Sequence, residues 1–415
     1  MQLLYVFTDK ALRQSFVALL ISVLAAVFAG LLLGKFSETL LMLPGLFILV
    51  PPALGMRGNI FSALGSRLGS ALHLGTIDKF TLGNRVVKNN IYATFTTTIA
   101  LSVFLGFLAD ILTKILGLAS IGMVSFVLIS FIAGTIAGSI LIVITFGTAV
   151  LAYRYGWDLD NIQAPLITAF GDFVTIPSLL LAAYVVLAIT EYVIFLFIII
   201  IAITIMNIFL VFSKETKYDM IFLKEGSCRN IVLQSSIILA LCAILDTFAG
   251  ILVEFNIESI VSIPIIFVLL PAFLEEGGNI GNVLSSRLAS KLHLGTLDPT
   301  LRIDNETKKE FLNSYILTFF IFLIMSVLIW FSGYIFGVSG MTLFQIIEVV
   351  MISAFILITI VLFVSFAVSI LSYKYGLDPD NVTLPLVASG VDLLGVICLL
   401  TVLHSFGIIQ AFGLV

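Results

Sequence analysis

Asp172 and Asp392 lie 220 positions apart (392 − 172 = 220), each inside a long apolar stretch, ITAFGDFVTIPSLLLAAYVV and VASGVDLLGVICLLTVL. Each is about eleven residues in from the polar end of its expected span, which begins near 161 or 381, roughly 16 Å of helix at 1.5 Å per residue, which is near the middle of a bilayer core. A carboxylate there costs at least ~2.5–3.5 kcal/mol, so it needs a partner or a job. Helical spacing puts Thr168, Asp172 and Thr175 on one face, and Ala388, Asp392 and Gly395 on the corresponding face of the second stretch.

A second constellation repeats at the same offset. Asn59 pairs with Asn279, Arg67 with Arg287, His73 with His293 and Asp78 with Asp298. Asn59, Ala63, Ser66 and Ser70 follow i, i+4, i+7, i+11 spacing, as do Asn279, Val283, Ser286 and Ser290, so small and polar groups line one helical face. Two readings stand for that face: close helix packing through small residues, or the wall of a pore. For the aspartates the bland alternative is a neutral or Arg-paired side chain, with Arg67 or Arg287 as partner. The functional alternative brings both carboxylates to one interface, where like charges repel unless a cation sits between them. Asp, Asn, Ser, Thr and backbone carbonyls are hard oxygen donors, and no Cys or His cluster lies at depth, which argues against zinc or copper. Mg2+ keeps its waters and is held by one or two carboxylates, which suits such a site. The candidate ligands are therefore Asp172, Asp392, Asn59, Asn279, Thr168, Thr175, Ser66 and Ser286.

The elements that position these residues follow from composition. With 60% hydrophobic and 11% charged residues over 415 positions, the chain is expected to be an all-α integral membrane protein without a sizeable soluble domain. Spans are expected at about 14–33, 40–72, 89–116, 121–153, 161–188, 192–212, 230–253, 260–292, 309–336, 341–373 and 381–410, eleven in all. The offset of 220 needs no gap: Phe28-Ala29-Gly30 matches Phe248-Ala249-Gly250, and YRYGWDLDN matches YKYGLDPDN. The chain divides into a first repeat at 1–190, a linker helix and loop at 191–228, and a second repeat at 229–415. Lys and Arg collect after spans 2, 4, 6, 8 and 10 and before span 1, which places the N-terminus in the cytoplasm and the C-terminus outside. Five spans return the chain on the wrong side; the sixth restores direction, so both repeats run parallel about a pseudo-two-fold axis along the membrane normal.

Other features carry less. The prolines and the Gly-Asn step of spans 2 and 8 predict a kinked or locally unwound helix with freed carbonyls. Cys228, Cys242 and Cys398 form no CxxC motif and read as packing residues. His73 and His293 precede Gly75 and Gly295 and mark helix ends; Asp160 and Asp380 read as N-caps or as an acidic vestibule. Gly134-xxx-Gly138 reads as local packing, and Glu348 and Asp246 have no repeat counterpart and receive no role. Arg57 faces Glu275 and Glu276 at matched places, which suggests an ion pair across the axis, a gate or a lost second site. An intramembrane enzyme would need a nucleophile with a base, or a zinc set such as HExxH, and neither occurs at depth. A Na+- or H+-coupled carrier of another small solute remains the competing transport reading, with Asp172 and Asp392 as coupling sites.

These motifs resemble a known family. PALGMRGNIFSALGSRL and GGNIGNVLSSRLAS resemble the Gly-Asn signature of the MgtE integral-membrane domain, and GLDPDN…PLVASGVDLLG resembles its last core helix. The duplicated form is similar to the eukaryotic solute-carrier magnesium transporters and their prokaryotic relatives. The resemblance implies Mg2+ as the transported ion, Asp172 and Asp392 as its ligands, and Na+ as a candidate exchange ion. MgtE proteins carry cytoplasmic N and CBS domains; this chain enters the membrane within about fifteen residues, so gating by those domains is not expected. MgtE works as a homodimer, whereas two repeats in one polypeptide allow a functional monomer in the lipid bilayer of the cell membrane. No nucleic-acid partner is implied.

Overall fold

The computed structural model describes residues 10–36, 42–73, 77, 84–157, 159–213, 228–338, 340–375 and 379–409. Among them the chain forms helices α1 (Lys10–Lys35), α2 (Val50–His73), α3 (Arg85–Ile115), α4 (Met123–Tyr155), α5 (Leu159–Ala188) and α6 (Val193–Ser213). There follow α7 (Cys228–Phe255), the single turn α8 (Ile257–Val261), α9 (Ile265–His293), α10 (Asn305–Phe336), α11 (Leu343–Lys374) and α12 (Pro379–Ser405). The offset is written into the helix starts: 305 − 85, 343 − 123 and 379 − 159 all equal 220. Local signals agree with it. Asn84 caps α3 by accepting from Val86 N at 2.9 Å, and Asp304, 220 positions on, caps α10 by accepting from Thr307 N at 2.7 Å, each satisfying an orphan donor of the first turn.

Among the described residues, ten helices are long and apolar enough to cross a membrane. The other expected span, α9, is not among them, because Glu275, Glu276, Asn279 and Asn282 lower its hydropathy. It is buried along nearly its whole length, and a helix wrapped by others needs no lipid-compatible surface. α6 is the opposite case: only 11% of its apolar window is buried, and Thr96 Oγ1 on α3 donates to its Asn207 Oδ1 at 2.6 Å.

The helical break in the two long spans lies earlier than the prolines and the Gly-Asn step led us to expect. In the first half, Gly45 adopts φ 80° and a 3-10 turn at Leu46–Leu49 precedes α2. In the second, α8 ends at Val261 and α9 begins at Ile265. Both helices then run unbroken through Gly58-Asn59 and Gly278-Asn279. Pro51 and Pro52 fall in the first turn of α2, where no backbone N–H is needed. Pro271 lies inside α9 and removes the bond to the Phe267 carbonyl. The freed carbonyls thus sit a turn or more before the asparagines.

The halves interlock through their first helices. α1 packs on α9 and α10, and α7 packs on α2 and α3. The matched Phe-Ala-Gly triplets are the crossing points: a Cβ on Gly30 would lie 2.7 Å from Val268 Cα, and one on Gly250 would lie 3.0 Å from Ile48 Cα. Those pairs are themselves related, since 250 − 30 and 268 − 48 both equal 220. Only glycine admits such backbone contact, and it sets how deeply each first helix enters the opposite half.

Candidate functional site

Where α2, α5, α9 and α12 meet, they enclose a cavity of about 60 Å3, room for several waters. The first half contributes Pro51, Leu54, Gly55, Gly58, Asn59, Thr168 and Asp172. The second contributes Pro271, Leu274, Glu275, Gly278, Asn279, Ala388 and Asp392, together with Asn282. Fourteen of these fifteen form seven pairs 220 positions apart. The wall therefore repeats across the duplication, apart from Gly55 opposite Glu275 and Thr168 opposite Ala388.

Each asparagine is held by the other half. Asn59 Nδ2 donates to Ser389 Oγ at 3.0 Å, and Asn279 Nδ2 donates to Ser22 Oγ at 2.8 Å. Ser22 Oγ passes its proton on to Glu275 Oε1 at 2.8 Å. Thr168 Oγ1 shares its own between Asn279 Oδ1 at 2.8 Å and the Pro165 carbonyl at 3.1 Å. The chain Thr168–Asn279–Ser22–Glu275 thus ties α5, α9 and α1 together beside the cavity and fixes the amide with its oxygen toward Thr168.

The electrostatics are one-signed. Asp172, Asp246, Glu275, Glu276 and Asp392 gather around the cavity and just behind its wall, and among the described residues none is in an ion pair. Asp172 and Glu275 lie within reach of each other, as do Asp246 and Asp392. Glu276 and Asp246 are fully buried, and all four of their carboxyl oxygens lack a hydrogen-bond partner. Among the described residues no three His, Cys, Asp or Glu converge as in a dedicated metal cage. Carboxyls in twos beside a small cavity with room for water are what a hydrated hard cation uses.

The arginines go elsewhere, which removes two of the sequence expectations. Arg67 Nε donates to Asn90 Oδ1 at 2.9 Å. Arg287 bonds Glu310 Oε2 at 3.2 Å and Ser15 Oγ at 3.0 Å. The membrane aspartates are thus not neutralised by them. Arg57 does not meet Glu275 or Glu276 either: it is 2% exposed and donates from Nη2 to Ser102 Oγ at 3.0 Å, on the side of α2 that faces α3. Gly134 is small for this reason, since a Cβ there would overlap Ser102 Oγ and lie 2.5 Å from Arg57 Nη2. The matched positions in the second half are Gly277, Phe322 and Ala354. There Phe322 meets Phe273 edge-on at 5.4 Å, and Leu357 and Val391 close on Gly277.

Of the eight expected ligands, Asp172, Asp392, Asn59, Asn279 and Thr168 line the cavity. Thr175, Ser66 and Ser286 do not. Thr175 faces a neighbouring space of about 10 Å3 with Leu33 and Leu179, and its hydroxyl has no partner. Ser66 is half-buried and Ser286 is 8% exposed, both beyond the cavity wall. His293 meets Tyr373 edge-on at 5.4 Å. Gly295 takes φ 68° just past the end of α9, the left-handed turn expected there. Asp160 and Asp380 fall inside the first turns of α5 and α12, while Gly75 and Asp78 lie outside the described residues. Sequence reasoning missed Ser22 and Ser389, whose types are ordinary in a helix. It also passed over Asp246, which was legible as a lone acid in the apolar run of α7 but was set aside because its repeat counterpart is Ala26.

Comparison with known proteins finds the same duplication. The profile of the MgtE family, described as a divalent cation transporter, matches residues 50–182 and 270–402. The two windows are 220 apart at both ends (270 − 50; 402 − 182). Solute carrier family 41 member 3 of Rattus norvegicus is 25% identical over 415 residues, covering 92% of this chain and 84% of that protein. The Mus musculus protein is 24% identical over 396 residues, covering 89% and 77%. Solute carrier family 41 member 2 of Homo sapiens is 30% identical over 179 residues, covering 40% and 30%. No solved structure gives a significant match.

Proposed function

The chain belongs to the MgtE family of divalent cation transporters, and on that premise we propose that it moves Mg2+ across a membrane through the cavity between α2, α5, α9 and α12. The observation that carries the reading is the doubled wall: seven residue pairs related by the duplication, with Asp172 and Asp392 among them. Two carboxylates in a space with room for water give Mg2+ the partly hydrated setting it favours. Asn59, Asn279 and Thr168 are held at the wall beside the carboxylates by bonds that cross between the halves. Among the described residues no Lys or Arg pairs with these carboxyls, which leaves the negative charge for the ion.

In this reading one polypeptide supplies both walls and acts as a monomer in the cell membrane, with its N-terminus in the cytoplasm and its C-terminus outside. Na+ is the candidate coupling ion. The test is Mg2+ entry into proteoliposomes loaded with an Mg2+ dye, with and without a Na+ gradient, for the native chain, Asp172→Asn and Asp392→Asn. Flux in the native chain and its loss in both folded variants supports the site. Native levels in both variants reject it. A flux that follows the Na+ gradient identifies exchange, and one indifferent to it identifies a channel.

A further inference from the structure

The duplication breaks at one place that bears on charge. Position 275 is glutamate and its counterpart, position 55, is glycine; position 246 is aspartate and its counterpart, position 26, is alanine. On the Asp172 side of the cavity the additional carboxyl comes from α9, as Glu275, which Ser22 holds. On the Asp392 side α2 offers none, and Asp246 from α7 stands there instead. The crossing of α7 over the start of α2 delivers it: Gly250, one turn along from Asp246, is the glycine packed against Ile48. The missing side chain at Gly55 makes the room, since a Cβ there would lie 2.7 Å from Asp246 Oδ2 and 2.7 Å from Asp392 Oδ2.

Those two oxygens are therefore at most 5.4 Å apart (2.7 + 2.7). One small cation with bonds of ~2.1–2.6 Å bridges about 4–5 Å. Asp246 is 0% exposed, and neither of its oxygens has a hydrogen-bond partner. Asp246 also lies outside the cavity wall, behind Gly55 and Asp392. Two buried carboxylates with no basic partner among the described residues repel each other, and a divalent ion cancels both charges where a monovalent one leaves a net charge of one.

We propose that Asp246 and Asp392 form a second divalent-cation subsite behind Gly55, separate from the Asp172–Glu275 side of the cavity. The proposal rests on the transport function given above and adds a ligand and a stoichiometry to it: two cations per chain, held on opposite sides of the cavity by unlike carboxyl pairs. The rival is a carboxyl pair that shares a proton and binds no metal.

The experiment measures Mg2+ bound per full-length chain by equilibrium dialysis in detergent, alongside proteoliposome flux. The native chain is expected to bind about two Mg2+, and Asp246→Ala about one. The double variant Asp246→Ala/Gly55→Glu, which rebuilds the Glu275/Ala26 arrangement on the other side, is expected to return to about two. Asp246→Asn, which keeps the side-chain volume, is run beside them, and each protein is checked by size-exclusion chromatography. Native-level binding in Asp246→Ala or Asp246→Asn overturns the subsite, as does about one Mg2+ in a native chain that transports. A native chain with neither binding nor flux fails the functional reading itself, a result seen before any variant is made.

Discussion

The side-chain amide of Asn279 donates a 2.8 Å hydrogen bond to the hydroxyl of Ser22, which stands 257 positions earlier, on the first helix of the opposite half. Ser22 in turn donates to Glu275 at 2.8 Å. Ser22→Ala leaves one buried donor and one buried acceptor without a partner, and each such loss costs about 1–3 kcal/mol. A clear drop in thermal midpoint in detergent is expected. An unchanged midpoint would show that the serine is dispensable to the interlock. Cys242 occupies the matched place in the second half, so Cys242→Ser serves as the comparison.

Arg57 and Gly134 are expected to be coupled. Gly134→Ala alone overfills the space beside Arg57 Nη2 and Ser102 Oγ, at about 1–3 kcal/mol. Arg57→Gly alone empties it. The pair together adopts the residues of the second half, Gly277 and Ala354, so the double variant should be less destabilised than the sum of the singles. A double-mutant cycle on thermal unfolding measures this, and additivity would show that the two sites are independent.

Thr175 gives a prediction of opposite sign. Its hydroxyl is buried without a partner and lies off the cavity. Thr175→Val keeps the shape and removes the unsatisfied group, which is expected to leave stability unchanged or raise it by about 1 kcal/mol. Mg2+ flux should stay at the native rate. A large loss of flux in a folded protein would return Thr175 to the ion path.

The two caps at the start of α3 and α10 should differ in pH dependence. The Thr307 N–H bonded to the Asp304 carboxylate holds that carboxyl below its ordinary range. A carboxyl with a depressed folded-state pKa stabilises fully above its unfolded value and loses that contribution as pH falls through the folded value. Asn84, at the matched position, does not titrate. Hydrogen exchange in the first turn of α10, corrected for the intrinsic rate, should therefore rise on acidification while that of α3 does not. Equal behaviour of both turns would remove the assigned role of the Asp304 charge.

Much of the fold was legible in the chain. Long apolar runs can satisfy their backbone in a membrane only as helices or closed barrels, and the unbroken offset of 220 matched helix to helix. Polar residues at depth are costly enough to stand out, and so Asp172, Asp392, Asn59 and Asn279, which line the cavity, are legible in the sequence alone. Helical periodicity, however, fixes which face of its own helix a residue occupies and says nothing of what faces it. Thr175 shares a face with Asp172 in the sequence, yet one turn along the helix that face has left the cavity.

Only the tertiary structure decided the partners. The reciprocal crossing of α1 and α7 into opposite halves depends on backbone contact at Gly30 and Gly250, and a glycine in a sequence does not name the helix that approaches it. That crossing sent Ser22 to Asn279 and Asp246 to Gly55, and the packing of α3 and α4 drew Arg57 to Ser102 instead of to the acidic pair. The sequence determined which groups must be buried, because burial is paid for residue by residue. The pairing of those groups depended on distances between helices far apart in the chain, which the three-dimensional packing alone sets.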